Sequence, residues 1–395
     1  MISRSDLRLT PYALCADLVF DGERFLQRYA IVIHGDTVEA MIPIDELASN
    51  IRRVSISENI VAPGFVDLQL NGCGGIMFND AITADTLRTM HETNLRSGCT
   101  AFLPTLVSTC EEDMFTAMSL VEAWRAEHGS CPVLGLHLEG PYINPARKGI
   151  HNITAIRSLS PAMREAMETF AEKIPLMVTL APECVENSDI QSLTKAGVVV
   201  SLGHSAATYE EAKRGFAAGA CAATHLFNAM SPWLGREPGL VGAALDSPEV
   251  TCGILVDGHH AHFASLALAK RLKGEACFLI TDATAPVGTD MAQFSFCGQT
   301  VYVQEGKAIS ADGTLGGSIL TMRDAVANCT LRIGWDLAET LRMASLYPAR
   351  LMGLDNLIGR ITPGSRASLI AFSPESFAVA ATVDSGELRL WQKGT

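Results

Sequence analysis

The sequence predicts an α/β protein: a (β/α)8 TIM-like barrel carrying a small β-sandwich domain formed by the N- and C-terminal segments. Three observations point there. Eight short apolar runs alternate with helical stretches between residues 59 and 346. The segments flanking that block, 1–60 and 354–395, read as short strands and turns with no long amphipathic helix. Nearly every apolar run ends in a polar or charged residue, and in a barrel all such ends ring one mouth, where barrel enzymes place their chemistry. The expected domains are therefore 1–60 with 354–395, and a barrel over 61–353.

At the N-terminus, "ALCADLVFDGERFLQRYAIVIHGDTVEAMIPI" alternates in character and is punctuated by "DG" and "GD", a pattern of strands and hairpins. The barrel runs follow: "NIVAPGFVDLQLNG" (59–72), "TAFLPTLVS" (100–108), "PVLGLHLEG" (132–140), "PLMVTLAPE" (175–183), "GVVVSLGHS" (197–205), "CAATHLFNA" (221–229), "TCGILVDGHH" (251–260) and "CFLITDAT" (277–284). Helical periodicity intervenes at 83–97, 111–127, 161–172, 208–218 and 262–273, and continues at 321–332 and 336–346. The C-terminal segment returns to strands, with "TPGS" as a turn and "ASLIAF" as a strand.

Bulk composition narrows the function. A chain of 395 residues, 48% hydrophobic and 18% charged, supports a large core. The net charge of −13 and the lack of any Lys/Arg-rich run exclude nucleic acid and anionic membrane as expected partners. An anionic substrate would need local cations. Eleven cysteines, odd in number and never spaced C-x-x-C, suit reduced, packed thiols in a cytosolic enzyme. The first twenty residues lack the apolar core of a signal peptide and no run reaches the roughly 18 apolar residues of a membrane span, so a cytoplasmic location is expected.

The polar strand ends carry the chemistry. Glu139, His204 and His225 close the third, fifth and sixth runs, and one carboxylate with two imidazoles suits a divalent metal such as zinc. Singly, each histidine reads more simply as a buried residue satisfied by backbone; three ionisable groups at one end call for a compensating ion. Asp282, on the eighth run, is placed to act as a base, although "TDAT" also fits a helix cap. Gln69 and Asn71 project together from the end of the first run. Cys73 in "NGCGG" is a small residue packed in a tight turn, with a thiol nucleophile as the alternative.

Seven ordered motifs, "PGFVDLQLNGCGG", "HLEGPYIN" with "KGIHN", "LGHSAAT", "THLFNAM", "DGHH", "TDATAPVG" and "GTLGGSILTM", span residues 63 to 322. Together the chain resembles the N-acetylglucosamine-6-phosphate deacetylase family of the amidohydrolase superfamily. The resemblance implies hydrolysis of the N-acetyl group of a phosphorylated amino sugar by metal-activated water, with Glu139, His204 and His225 as ligands and Asp282 as general acid/base. One divalent metal per subunit is implied, zinc first, with Fe2+, Mn2+ or Co2+ as alternatives. His151 would polarise the N-acetyl carbonyl. Ile150, Asn228 and Ala229 would line the sugar site, Arg236 and His260 would bind the phosphate, and Leu315, Gly316 and Gly317 would close over the substrate through backbone groups. Arg236 would complete the site of the neighbouring subunit in a homodimer. Two-metal amidohydrolases carry His-x-His where this chain has Gln69 and Asn71, so the second metal site is expected to be vestigial. Competing readings are a deacetylase for the galactosamine epimer, a cyclic-amide amidohydrolase and an inactive scaffold.

Overall fold

The computed structural model describes residues 10–128 and 132–391. Eight parallel strands form one sheet in sequential order: β1 (Phe65–Leu70), β2 (Cys99–Val107), β3 (Leu136–Glu139), β4 (Leu176–Leu180), β5 (Val199–Leu202), β6 (Ala222–Ala223), β7 (Thr251–Leu255) and β8 (Cys277–Ile280). The last strand returns to the first: Leu70 bridges Ala283, and the Asp282 amide donates to the Gln69 carbonyl at 2.9 Å. The strands are short and largely buried on both faces, which is why they read as continuous apolar runs.

Helices cover the outside: α1 (Ala84–Leu95), α2 (Glu111–His128), α3 (Pro161–Ala171), α4 (Asn187–Lys195), α5 (Tyr209–Ala217), α6 (Gly239–Asp246), α7 (Phe263–Lys273), α8 (Met322–Asn328), α9 (Leu337–Ala344) and α10 (Leu346–Leu351). Local sequence sets their starts. Thr83, Ser160, Thr208 and Thr321 each accept a backbone N–H of the first turn, and Thr208 with Glu211 completes a capping box. Sequence periodicity missed α4, α6 and the six-residue α10. The first is only nine residues long, and the second, "GLVGAALD", is buried on all sides and so shows no helical stripe.

Two runs differ from expectation. The stretch 59–72 is two strands in different sheets, Arg52–Pro63 and β1, divided at Gly64. A Cβ on Gly64 would stand 2.0 Å from Thr100 Oγ1, so the crossing between sheets requires glycine. The sixth run holds only the two-residue strand β6 before breaking into turns. A further three-stranded antiparallel sheet (Gln293–Phe296, Gln299–Gln304, Lys307–Ser310) was not expected, although "TVYV" and the "EG" turn carry its signal. Its Phe294, Phe296, Val301 and Ala308 pack on Val107, Ile150 and Ala285 beside the barrel mouth.

The chain ends meet in one seven-stranded sheet rather than two separate sheets. Tyr12–Phe20 pairs parallel with Arg52–Pro63, which pairs antiparallel with Leu369–Phe372. The sheet bends so that its outer parts approach, with the Tyr12 hydroxyl donating to the Gly386 carbonyl at 3.0 Å and Thr37 bridging Arg366. Apolar clusters occupy both faces: Leu14, Ile31 and Ile33 on one, Ala13, Cys15 and Val32 on the other. Residues 1–9 and 392–395 of the expected terminal domain lie outside the described residues.

Ten cysteines are free thiols, and Cys131 lies outside the described residues. Cys73 is buried with its Sγ 3.4 Å from the Met90 carbonyl, and burial pushes its thiol well up, so it packs and is not a nucleophile. Among the described residues no helix is long and apolar enough to cross a membrane.

Candidate active site

A cavity of about 370 Å³ opens at the carboxyl ends of the strands. Glu139, His204, His225 and Asp282 all line it. His204, His225, Phe227, Ala229 and Asp282 share positive φ angles between 32° and 81°. Each strand end thus breaks at once into a turn that ordinary side chains adopt at a cost of about 1–3 kcal/mol, a pattern typical of functional sites. Glu183, after β4, holds the turn carrying His204: it accepts Ser205 Oγ at 2.7 Å, the Ala206 amide at 2.6 Å and Asn144 Nδ2 at 3.0 Å.

Three potential ligand atoms converge at the centre. Glu139 Oε1 lies 3.0 Å from His225 Nε2 and 3.2 Å from His204 Nε2, and the two ring nitrogens are 3.0 Å apart. His204 Nδ1 is 2.9 Å from the Arg147 carbonyl, which can only accept. That contact places a proton on Nδ1 and turns Nε2 to the carboxylate. A carboxylate oxygen and two imidazole Nε2 atoms meeting in a buried site call for positive charge between them, a proton or a metal ion. Burial would raise the Glu139 pKa, but its histidine partners hold it well below the usual range, and Glu139 in turn raises His225 against the effect of burial. One carboxylate and two imidazoles fit zinc or a similar divalent ion. Glu139, His151 and His204 also bring one ligand atom each within 4.8 Å of one another, which makes His151 a neighbour of the same position. Its Nδ1 is engaged elsewhere, whereas both His204 and His225 aim Nε2 at the same carboxylate oxygen.

Gln69 and Asn71 bind the carboxylates. Gln69 Nε2 donates to Glu139 Oε1 at 3.0 Å and to Asp282 Oδ1 at 3.2 Å, and Asn71 Nδ2 donates to the same Asp282 oxygen at 2.6 Å. Burial and the nearby Glu139 charge push Asp282 up to about 6. Asn71 Oδ1 is buried without a partner among the described residues.

His151 is buried with its ring 4.3 Å from that of His204. Its Nδ1 lies 2.7 Å from Ser108 Oγ, which leaves Nε2 as the ring atom without a hydrogen bond among the described residues. Burial pushes it well below the ordinary histidine value, so the ring is neutral. Ile150, Asn228, Ala229, His260, Leu315 and Gly317 line the cavity around this centre. Asp257 Oδ2 stands 2.7 Å from His260 Nδ1 and is held below its usual range by that bond despite burial. Gly317 has φ +64°, and a Cβ there would meet Thr284 Cγ2 at 2.5 Å and the Asp282 carbonyl at 2.9 Å, so the turn closes on Asp282 only as glycine. Gly316 is not among the cavity-lining residues; a Cβ there would meet Val301 at 3.1 Å and Ile150 at 3.4 Å.

Arg236 is not brought to this cavity. It is exposed, on a loop with Trp233 and Leu234 also exposed. Sequence reasoning also missed Ser108, the Arg147 carbonyl and Phe296, which the unexpected three-stranded sheet delivers to the cavity wall. Only the last had a signal, in the alternation of "FSF".

Comparison with known proteins places these features in context. Residues 60–389 match the amidohydrolase family and residues 11–61 match the NagA composite domain. The N-acetylglucosamine-6-phosphate deacetylase of Haemophilus influenzae is 40% identical over 95% of this chain and 98% of that protein. The N-acetylgalactosamine-6-phosphate deacetylase of Shewanella sp. is 36% identical over 84% of each chain. The crystal structure of N-acetylglucosamine-6-phosphate deacetylase from Pasteurella multocida superposes with a TM-score of 0.93 at 41% identity, covering 96% of this chain and 100% of that one.

Proposed function

The chain belongs to the amidohydrolase family, and on that premise we propose that it hydrolyses the N-acetyl group of N-acetylglucosamine-6-phosphate to glucosamine-6-phosphate and acetate. The observation that carries the reading is the convergence of Glu139 Oε1, His204 Nε2 and His225 Nε2 beside Asp282, in a chain similar throughout to enzymes of that name. In this reading Glu139, His204 and His225 hold one divalent cation, zinc before Fe2+, Mn2+ or Co2+. Bound there, it supplies Lewis acidity to water and to the acetyl carbonyl.

The chain's own groups do the rest. Both amide donors on Asp282 go to Oδ1, so Oδ2 is the oxygen that takes the proton of the attacking water and returns it to the departing nitrogen. An amine leaves poorly without that proton. Neutral His151, its Nδ1 engaged by Ser108, presents Nε2 to the N-acetyl carbonyl oxygen as negative charge builds there. Ile150, Asn228, Ala229 and the Leu315–Gly317 turn surround the sugar, and His260 faces the phosphate. Binding of that remote dianion positions the acetyl group for attack. Gln69 and Asn71 spend their amides on carboxylates, which leaves one metal position instead of two. Arg236, exposed and outside its own cavity, completes the site of a neighbouring subunit in a homodimer. A cytoplasmic location belongs to the same reading.

The galactosamine epimer is the competing substrate, because a relative at 36% identity carries that name. Acetate release by purified protein from the two phosphorylated epimers and from unphosphorylated N-acetylglucosamine tests the reading. The glucosamine 6-phosphate is expected to give the highest kcat/KM; no acetate from either phosphorylated sugar would sink it.

A further inference from the structure

Among the described residues that line the cavity, Arg147 is the one whose side chain carries a permanent positive charge. It ends the short 3-10 turn Pro145–Arg147 after β3 and is half-buried. Its backbone is engaged on both sides: the amide donates to the Asn144 carbonyl at 2.8 Å, and its carbonyl accepts His204 Nδ1 at 2.9 Å. Among the described residues, no carboxylate pairs with its guanidinium. Other arginines of this acidic chain do have such partners: Arg342 lies 2.8 Å from Glu339, and Arg28 lies 3.1 Å from Asp45. A cavity-lining arginine with no carboxylate partner among the described residues, in a protein of net charge −13, suits an anion that arrives from outside.

We propose that Arg147 is a specificity-determining contact of this chain for the phosphate dianion of the substrate, a role that rests on the phosphorylated amino sugar reading above. Within one chain, His260 brings little net charge, because the Asp257 carboxylate sits 2.7 Å from its Nδ1, and Arg147 would add to the Arg236 that a neighbouring subunit contributes. A guanidinium offers a planar fork that matches phosphate oxygens in pairs, which an imidazole cannot. The same residue joins two functions: its carbonyl accepts His204 Nδ1, and the residue itself lines the cavity. Substitution of the side chain leaves the carbonyl in place, so the two functions can be separated.

The test compares wild type, Arg147→Ala and Arg147→Lys in acetate release from the phosphorylated sugar, in competitive inhibition by inorganic phosphate and in metal content by elemental analysis. For Arg147→Ala, the KM and the phosphate inhibition constant are expected to rise on the order of 10- to 100-fold, the scale of a lost hydrogen bond to a charged group, with a smaller change in kcat. Arg147→Lys should recover part of the loss, since it keeps the charge but not the fork. Wild-type KM and phosphate inhibition in Arg147→Ala would overturn the assignment. So would loss of bound metal, which would trace the effect to His204. Should the wild-type protein release no acetate from any amino sugar, the functional reading fails. Calorimetric titration with inorganic phosphate then still decides the anion contact, because wild type must bind it more tightly than Arg147→Ala.

Discussion

His137 and Glu139 stand two residues apart on β3, so both project from the same side of the strand, and both are fully enclosed. One layer of the barrel separates two kinds of buried polar chemistry. Below the mouth, His137 Nδ1 contacts the Leu68 carbonyl at 3.0 Å and Nε2 contacts Thr179 Oγ1 at 2.8 Å. The chain of hydroxyls continues from Thr179 to Thr224 and on to Ser201, each step 2.6 Å. Every ring nitrogen there has a neutral protein partner. At the mouth, His204 and His225 turn Nε2 toward a carboxylate and toward each other. Burial does not distinguish a structural histidine from a candidate ligand; the chemistry of what faces each nitrogen does.

Substitutions at the two levels should therefore separate. At the mouth, His225→Ala is expected to lower turnover by more than about 10³-fold and to reduce bound metal, read by acetate release and elemental analysis; full metal content would dissolve the contrast. Asp282→Asn should cost about 10³-fold in kcat while metal content and thermal unfolding stay near wild type, since the amide keeps the shape and loses the proton. Turnover like wild type would remove Asp282 from the chemistry. Below the mouth, His137→Ala should instead lower stability by about 2–4 kcal/mol, through a cavity and unpaired partners, and leave the metal bound. Denaturant unfolding measures the first and elemental analysis the second.

The same variant gives a pH signature. Burial holds His137 down at about 4 against 6.5 in the unfolded chain, so between those values the unfolded state binds more protons. Its contribution is present above about pH 6.5 and is lost as pH falls toward 4. The stability gap between wild type and His137→Ala should narrow over that window. Wild type alone is a poor probe, because Asp67, pushed up to about 7 by burial, acts in the opposite direction as pH rises. The smallest effect is expected at the edge of the site: Ser108→Ala should lower kcat about tenfold by freeing the His151 ring, with Ser108→Thr restoring part of it. An unchanged kcat would show that His151 is oriented by its packing on His204 alone.

Much of this was legible before any coordinates. Alternation of apolar runs with helical periodicity depends on neighbours a few residues apart, and it located all eight barrel strands, though β6 shrank to two residues. The polar ends of those runs marked Glu139, His204, His225 and Asp282 as one ring. What escaped has a common character. Gly64 divides a continuous apolar stretch because Thr100 crowds it, and α6 hides its period because it is enclosed on all sides. The partnership of Ser108 with His151 spans 43 residues, and that of Arg147 with His204 spans 57. No local pattern records either.

The sequence by itself determined the barrel, the meeting of the two chain ends and the ring of Glu139, His204, His225 and Asp282 at the mouth, because strand period and strand order are properties of a continuous chain. Only the tertiary structure decided which nitrogen of His137, His151 and His204 is engaged, that both amide donors fall on one oxygen of Asp282, and that Arg147 lines the cavity with no carboxylate partner among the described residues. Those outcomes depend on groups tens to hundreds of residues away that closure of the barrel brings within a hydrogen bond of one another.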